Sequence, residues 1–526
     1  QIKAPPTRNT PSATASTSTP PAEDATHGQK RPRPAASLTT SKFDEAHWRG
    51  QKNTKVGSNS TPFERATQQT ATDSLDECDI PTVASVPKQQ QEQWVNLVYN
   101  TIQFYPNADS AQRQTIIWEL LNLPKYHLRK LVCKASQRAR KHFATAQLEG
   151  QVLQQRSADY EEGPNNVSSR KMRMRKKVNA QLEEGCVGKA CRTAMQKETP
   201  EVLFTDAVAG LEALHPKATP EDAKLWIGTT VNVPEIPPDT LEKVVKKMCR
   251  GASAARSGWT EEILSPLTTA AKTKTIMAQI FNDLVNGRIC EEVSDRLTAG
   301  RLIALGKPMK AGDLKPGVRP IAVNECFRKV AQALAVESHN AVIREIFKDL
   351  QYGIGIPGGA EILCHKISRG VKNRKITVAL DAKNAFNTPF RHAMAAALVN
   401  QPKLHSLIHL WNWNYATPSK LYFRREAESA TIMSERGSRQ GDVLGGLFFA
   451  LTIHPVLVAA KEKWGEHLDI YAYLDDITIQ GDDPAIVEQC VRFIQEGFLK
   501  IGLDLNEQKC EWLAADTPCP FKNWTV

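Results

Sequence analysis

Ile470-Tyr471-Ala472-Tyr473-Leu474-Asp475-Asp476-Ile477-Thr478-Ile479 sets two adjacent carboxylates between short runs of branched and aromatic residues. Such flanks favour paired strands and Asp tolerates the unusual dihedrals of a tight turn, so the stretch predicts a hairpin with Asp475 and Asp476 at its tip. Two close carboxylates repel each other unless one is protonated or a divalent ion lies between them. Hard oxygen ligands of this kind suit Mg²⁺ at a phosphate-handling site. The plain alternative is a solvated turn, and the pair alone does not decide between the two.

A second acid strengthens the first. Residues 376–380, Ile-Thr-Val-Ala-Leu, alternate like a strand and deliver Asp381 at its end, far from Asp475 in sequence, as a site shared by neighbouring strands requires. In two-metal phosphoryl or nucleotidyl transfer, carboxylates bridge ions about 3.5–4 Å apart, one activating the attacking hydroxyl and the other neutralising the leaving group. Five residues beyond Asp381 comes Phe386, a ring that either packs in the core or lies beside a nucleotide's sugar and excludes a 2′-hydroxyl. Gly437-Ser438-Arg439-Gln440-Gly441-Asp442 then supplies a flexible turn at the head of an apolar helix, and backbone bared by glycine can approach a base pair closely.

The chain of 526 residues is long enough for several domains, and its formal net charge of +11 leans toward a polyanionic partner. Eleven cysteines show no CxxC pair and no zinc-finger spacing, with Cys186 and Cys191 standing alone, so they are read as reduced, intracellular and mostly structural. A start at Gln1 without a cationic-then-apolar leader gives the expectation of a fragment with no secretory signal. Residues 443–460 form the most apolar run, but Gly445, Gly446, His454 and Pro455 interrupt it. A buried helix is expected there rather than a membrane span, and no membrane partner is expected.

Along the chain, residues 1–88 are Ser/Thr/Pro-rich with few aromatics, which predicts a disordered tail. Helical spacing of Trp94, Leu97, Val98, Ile102, Ile116, Ile117, Leu120 and Leu121 predicts a helical module over 89–150, with Pro124 as a breaker. Its last helix carries Lys134, Arg138, Arg140, Lys141 and His142. A basic linker and helical extension follow over 151–250, where Arg170, Lys171, Arg173, Arg175, Lys176 and Lys177 are a solvated linker, an import signal or a phosphate-contacting arm. From Arg256 to Leu513 short strands (301–305, 376–380, 470–474, 477–479) are separated by stretches of helical periodicity in an order that predicts an α+β fold rather than a regular alternating sheet, with no internal repeat.

The segments occur in an order that resembles the reverse transcriptases of non-long-terminal-repeat retrotransposons, most closely the site-specific spliced-leader-associated elements of trypanosomatids. They are Arg256-Ser257-Gly258-Trp259-Thr260, Arg301 to Pro308, Arg319-Pro320-Ile321-Ala322-Val323, Gly353 to Glu361, Leu380 to Phe386, Arg439 to Gly445, Tyr473 to Asp476, and Gly502 to Lys509. The resemblance implies right-hand polymerase fingers over 251–375, a palm with an antiparallel sheet backed by helices over 376–513, and the start of a truncated thumb at 514–526. It implies that Asp381, Asp475 and Asp476 are the catalytic and metal-binding carboxylates, for two Mg²⁺ or Mn²⁺ ions. Arg319 would grip the incoming deoxynucleoside triphosphate, ahead of Lys307, because a guanidinium holds phosphate bidentately where an ammonium is a movable point charge. Phe386 falls at the sugar-discriminating position, and Gln440 and Gly441 fall where template and nucleotide are positioned. Lys509 either protonates pyrophosphate or packs locally. Implied partners are element RNA as template, a DNA primer at the target site and dNTPs, with target-primed copying and nuclear residence.

The chain departs from the broader family in having Arg439 before Gln-Gly-Asp and Val443-Leu444-Gly445-Gly446 after it. Two rival functions are weighed. Gly481-Asp482-Asp483 spells the signature of a viral-type RNA-dependent RNA polymerase, but Pro484 and the helical spacing beyond it predict that Asp483 is a helix cap. A non-catalytic nucleic-acid-binding remnant of a decayed element would be expected to have lost some of the site residues.

Overall fold

The computed structural model describes residues 82–129, 200–222, 225–249, 251–309, 315–425 and 428–525, the helix Val187–Met195, and isolated positions between 148 and 182. The tail expected over 1–88 lies outside the described residues up to residue 81. Residues 82–88 are ordered: Val83 N–H donates to the Leu128 carbonyl at 2.9 Å, and Val86 is buried. The last helix expected in the module also lies outside the described residues, as do Arg170, Lys171, Arg173, Lys176 and Lys177. Arg175 is helical and exposed.

Two four-stranded sheets organise a mixed α+β molecule. The first is built of β1 (Gly300–Gly306), β2 (Val318–Val323), β4 (Ser419–Arg425) and β5 (Glu428–Ser434) in the order β2-β1-β4-β5. Here β1 runs antiparallel to β2, with Leu305 opposite Arg319, and parallel to β4. The second contains β3 (Ile376–Leu380), β6 (Leu468–Tyr473), β7 (Asp476–Gly481) and β8 (Glu511–Leu513) in the order β6-β7-β3-β8, with every pairing antiparallel. The hairpin Ser419 to Ser434, strand β2 and strand β8 add to the strands read from sequence.

The apolar helix Val443–Trp464 joins the two largest hydrophobic clusters among the described residues. Leu444, Leu447, Phe448 and Leu451 pack into one, whereas Phe449, Ile453, Leu457 and Ala460 pack against the second sheet. By length and composition it could cross a membrane, yet most of it is buried within the chain.

Pro124 does not end its helix, which runs Ser110–His127. A proline inside a helix leaves the carbonyl four residues earlier without its donor. Here that carbonyl, Leu120, accepts from the Trp259 indole at 3.1 Å, so the fold supplies the missing bond. Trp94 in turn donates to the Ile263 carbonyl at 3.1 Å and packs on Trp259, their ring centroids 5.5 Å apart. The helices over 91–127 therefore share one core with those that follow Trp259.

Candidate active site

The hairpin predicted around Asp475 is present. Tyr473 pairs with Asp476 and closes a two-residue turn of Leu474 and Asp475. Leu474 has φ 55°, a left-handed conformation that costs an L-residue with a Cβ roughly 1–2 kcal/mol. The buried Gln351 side chain offsets this by taking both backbone groups of Leu474. Its Oε1 accepts from Leu474 N–H at 2.7 Å and from Gly353 N–H at 3.0 Å, and its Nε2 donates to the Leu474 carbonyl at 3.2 Å. Backbone bonds between Tyr352 N–H and the Ala472 carbonyl (2.7 Å) and between Ala472 N–H and the Leu350 carbonyl (2.8 Å) align the two segments. A Cβ on Gly353 would lie 2.8 Å from the Leu474 nitrogen, so this close approach needs glycine.

Strand β3 ends where the turn begins. Leu380 pairs with Ile477, which sets Asp381 beside the Asp475-Asp476 tip. The Asp381 carbonyl accepts from Asn506 N–H at 2.7 Å, and Lys383 N–H donates to the Asp504 carbonyl at 2.8 Å, so the stretch ahead of β8 buttresses the strand end. Lys509 reaches back from this stretch to the Asp381 carboxylate at 3.1 Å.

Electrostatics tie the three acids together. Burial first, then the Asp476 and Asp381 carboxylates, raise Asp475 above the ordinary carboxylate range. Partial burial followed by Asp381 raises Asp476 too, although its surface is exposed. Among the described residues no three Asp, Glu, His or Cys side chains close into a ligand set, and Asp381 faces Lys509 instead. The donor set still suits a hard divalent cation, since three mutually repelling carboxylates stand on adjacent strand ends.

Phosphate-binding candidates approach from the first sheet. Lys307 follows β1, and its N–H donates to the Gly317 carbonyl at 2.7 Å. Partial burial, then Arg319 and Lys509, lower the Lys307 ammonium, while Asp381 raises it. Arg319 is exposed on β2, and its guanidinium makes no hydrogen bond or ion pair with the described residues. Lys509 thus contacts Asp381, Lys307 lies within electrostatic reach of it, and Arg319 stands beside Lys307.

Phe386 is half-buried, its ring leaning on Phe449 with centroids 5.0 Å apart. Its carbonyl accepts from Ser438 N–H at 2.7 Å, which couples it to the Gly437 to Asp442 turn. Gly437 has φ 56°, and a Cβ there would fall 2.2 Å from the Phe386 carbonyl oxygen. Gly441 has φ 102°, and the Gln440 carbonyl accepts from Ala322 N–H in β2 at 3.3 Å, so the turn lies against the first sheet. The acid that closes this motif points inward. Asp442 is buried and accepts from the Arg328 guanidinium at 2.5 Å and from the Tyr415 hydroxyl. Arg391, also buried, donates to the carbonyls of Gly437, Tyr415, Thr417 and Ser434.

Gln351, Arg328 and Arg391 carry no signal that sequence reasoning used. Their partners are remote along the chain, and an amide or guanidinium leaves no periodic trace. The Gly481-Asp482-Asp483 stretch is structural at its end: the Asp483 side chain caps the helix Pro484–Lys500, accepting from Ala485 N–H at 2.8 Å.

Residues 307–522 match the reverse transcriptase (RNA-dependent DNA polymerase) family. A retrotransposable element SLACS 132 kDa protein from Trypanosoma brucei gambiense is 28% identical over 276 residues, which is 52% of this chain and 22% of that protein. This chain therefore spans less than a quarter of the relative it matches. The acids of β3 and of the β6–β7 hairpin fall inside the matched stretch, so the candidate site lies in a reverse transcriptase domain over residues 307–522.

Proposed function

We propose that the chain is the RNA-directed DNA polymerase of a non-long-terminal-repeat retrotransposon, with the second sheet in the palm and strands β1 and β2 of the first in the fingers. The observation that carries this reading is the meeting of Asp381, Asp475 and Asp476 at adjacent strand ends, with Lys509 and Lys307 near Asp381 and Arg319 beside Lys307.

In the proposed reaction the 3′-oxygen of a DNA primer attacks the α-phosphorus of a deoxynucleoside triphosphate. The bond to the bridging oxygen breaks and pyrophosphate leaves. Asp381, Asp475 and Asp476 would hold Mg²⁺ or Mn²⁺, which supplies charge neutralisation and activation of the attacking hydroxyl. Arg319, free of protein partners among the described residues, grips the triphosphate, with Lys307 beside it. Lys509, paired with Asp381 at 3.1 Å, gives a proton to pyrophosphate. Phe386 excludes a ribose 2′-hydroxyl, and the Gln440-Gly441 backbone supports the nascent pair. Element RNA as template, a genomic nick as primer and a nuclear setting complete the reading, and the net charge of +11 supports a polyanionic partner.

The test is extension of a DNA primer on an RNA template by the purified chain with dNTPs and Mg²⁺ or Mn²⁺. Deoxynucleotide incorporation is expected. Tight binding of primer–template without incorporation under either cation would favour the non-catalytic remnant.

A further inference from the structure

The segment 200–222 precedes the family match at residue 307, yet it is anchored at one end to the first sheet and at the other around Phe386. The helix Phe204–Ala213 buries Ala207 and Leu211 against Leu302, Val318 and Leu421, and Phe204 stacks on Phe423 with centroids 5.2 Å apart. Gly210 permits the close approach, since a Cβ there would meet a Val318 methyl at 2.7 Å.

Beyond this helix the chain crosses to the loop that follows Asp381. The Leu214 carbonyl accepts two side-chain hydrogen bonds, from Asn384 Nδ2 at 2.8 Å and from Asn387 Nδ2 at 3.0 Å. These two asparagines bracket Phe386. Asn384 has φ 50°, a left-handed conformation that Asn tolerates better than most side chains. Two more ties follow. Glu435 accepts from Ala218 N–H at 3.0 Å and from Lys217 at 2.9 Å, while buried Asp222 accepts from His392 N–H at 2.8 Å. The loop is thus held on both sides of the ring and at the start of the next helix, Arg391–Val399.

Phe449 supports the Phe386 ring and Ser438 N–H holds its carbonyl, while the Asn384 and Asn387 side chains tie the backbone on either side of it to the Leu214 carbonyl. A displacement of about 1 Å in a positioning group can cost about two orders of magnitude in rate, so a gate that excludes one sugar and admits another depends on where its backbone is held. We propose that residues 200–222 act as a strap that determines sugar specificity, with the Leu214 carbonyl fixing Phe386 through Asn384 and Asn387. Those asparagines are positioning residues, and the strap belongs to the nucleotide site although it lies outside the matched stretch. The inference rests on Phe386 being the sugar gate.

The experiment compares single-nucleotide insertion of a dNTP and its rNTP on an RNA template by the full chain, its F386A variant, N384D, and the double variant N384D/N387A. Asn384→Asp keeps tolerance of the left-handed backbone while replacing the donor with an oxygen that repels the Leu214 carbonyl. Dissociation constants of the two nucleotides on a dideoxy-terminated primer–template give the same ratio without chemistry. F386A is expected to lower the deoxy-to-ribo ratio about 100-fold, and the asparagine variants about 10-fold or more, chiefly by admitting the ribonucleotide. An unchanged ratio in F386A removes the gate and the strap's role with it. A lowered ratio in F386A with an unchanged ratio in N384D overturns the strap proposal alone. Equal loss of both insertions in N384D also overturns it, since that marks a general structural role.

Discussion

Leu474 is where the proposed metal-holding tip turns, and it is a poor residue for the dihedrals it adopts. Gln351 satisfies both of its backbone groups, so the conformation is held by a side chain 123 positions away. Gln351→Ala removes three hydrogen bonds and leaves three part-buried backbone groups, Leu474 N–H, Leu474 C=O and Gly353 N–H, short of that partner, each costing up to about 1–3 kcal/mol. We expect a lowered turnover number and a higher Mg²⁺ requirement, with the Michaelis constant for dNTP little changed. Gln351→Glu keeps both accepted bonds and should recover part of the turnover. Steady-state kinetics across a Mg²⁺ titration check this, and equal defects in Gln351→Ala and Gln351→Glu would contradict it. At this scale Asp381, Asp475 and Asp476 were legible from sequence because strand alternation next to acids is a local pattern. Gln351 was not, because only the fold brings it to Leu474.

The turn from Gly437 to Asp442 shows the same division at the scale of elements. Its glycines and the apolar helix after it are visible in sequence, whereas the inward set of Asp442 depends on Arg328 and Tyr415 from two other helices. Removing one partner of a buried ion pair leaves the other charge uncompensated, typically at about 3–5 kcal/mol. Asp442→Ala should therefore lower unfolding stability by about that amount, read as a shift of the urea midpoint. A loss below about 1 kcal/mol would show that the pair does not anchor the turn. The cap at Asp483 was readable because Asp-Pro before a helical period is local. The hairpin of β4 and β5, by contrast, is charged at its exposed edge, with Arg424, Arg425 and Glu428, and its apolar alternation is short. Pro320 similarly obscures β2, which tolerates it beside the β1 partner. Strand β8 has only three residues and owes its place to β3.

Across the whole molecule, neither sheet forms the candidate site alone. Acids come from the second sheet, Arg319 and Lys307 from the first, and the helix Val443–Trp464 packs into the helical core and against the second sheet. The α+β class and the order of segments were legible from sequence, but the sharing of one core by the helices over 91–127 and those after Trp259 was not. That continuity rests on indole bonds to the Leu120 and Ile263 carbonyls, which no spacing reveals. The central claim is that Asp381, Asp475 and Asp476 act together in deoxynucleotide transfer. Single-turnover incorporation of one dNTP opposite an RNA template tests it most directly, comparing the full chain with Asp381→Asn and Asp475→Asn at matched thermal stability. Each substitution is predicted to lower the rate at least about 100-fold, because it removes a carboxylate from the charge-stabilising set. Rates within a few-fold of the unaltered chain would contradict the account.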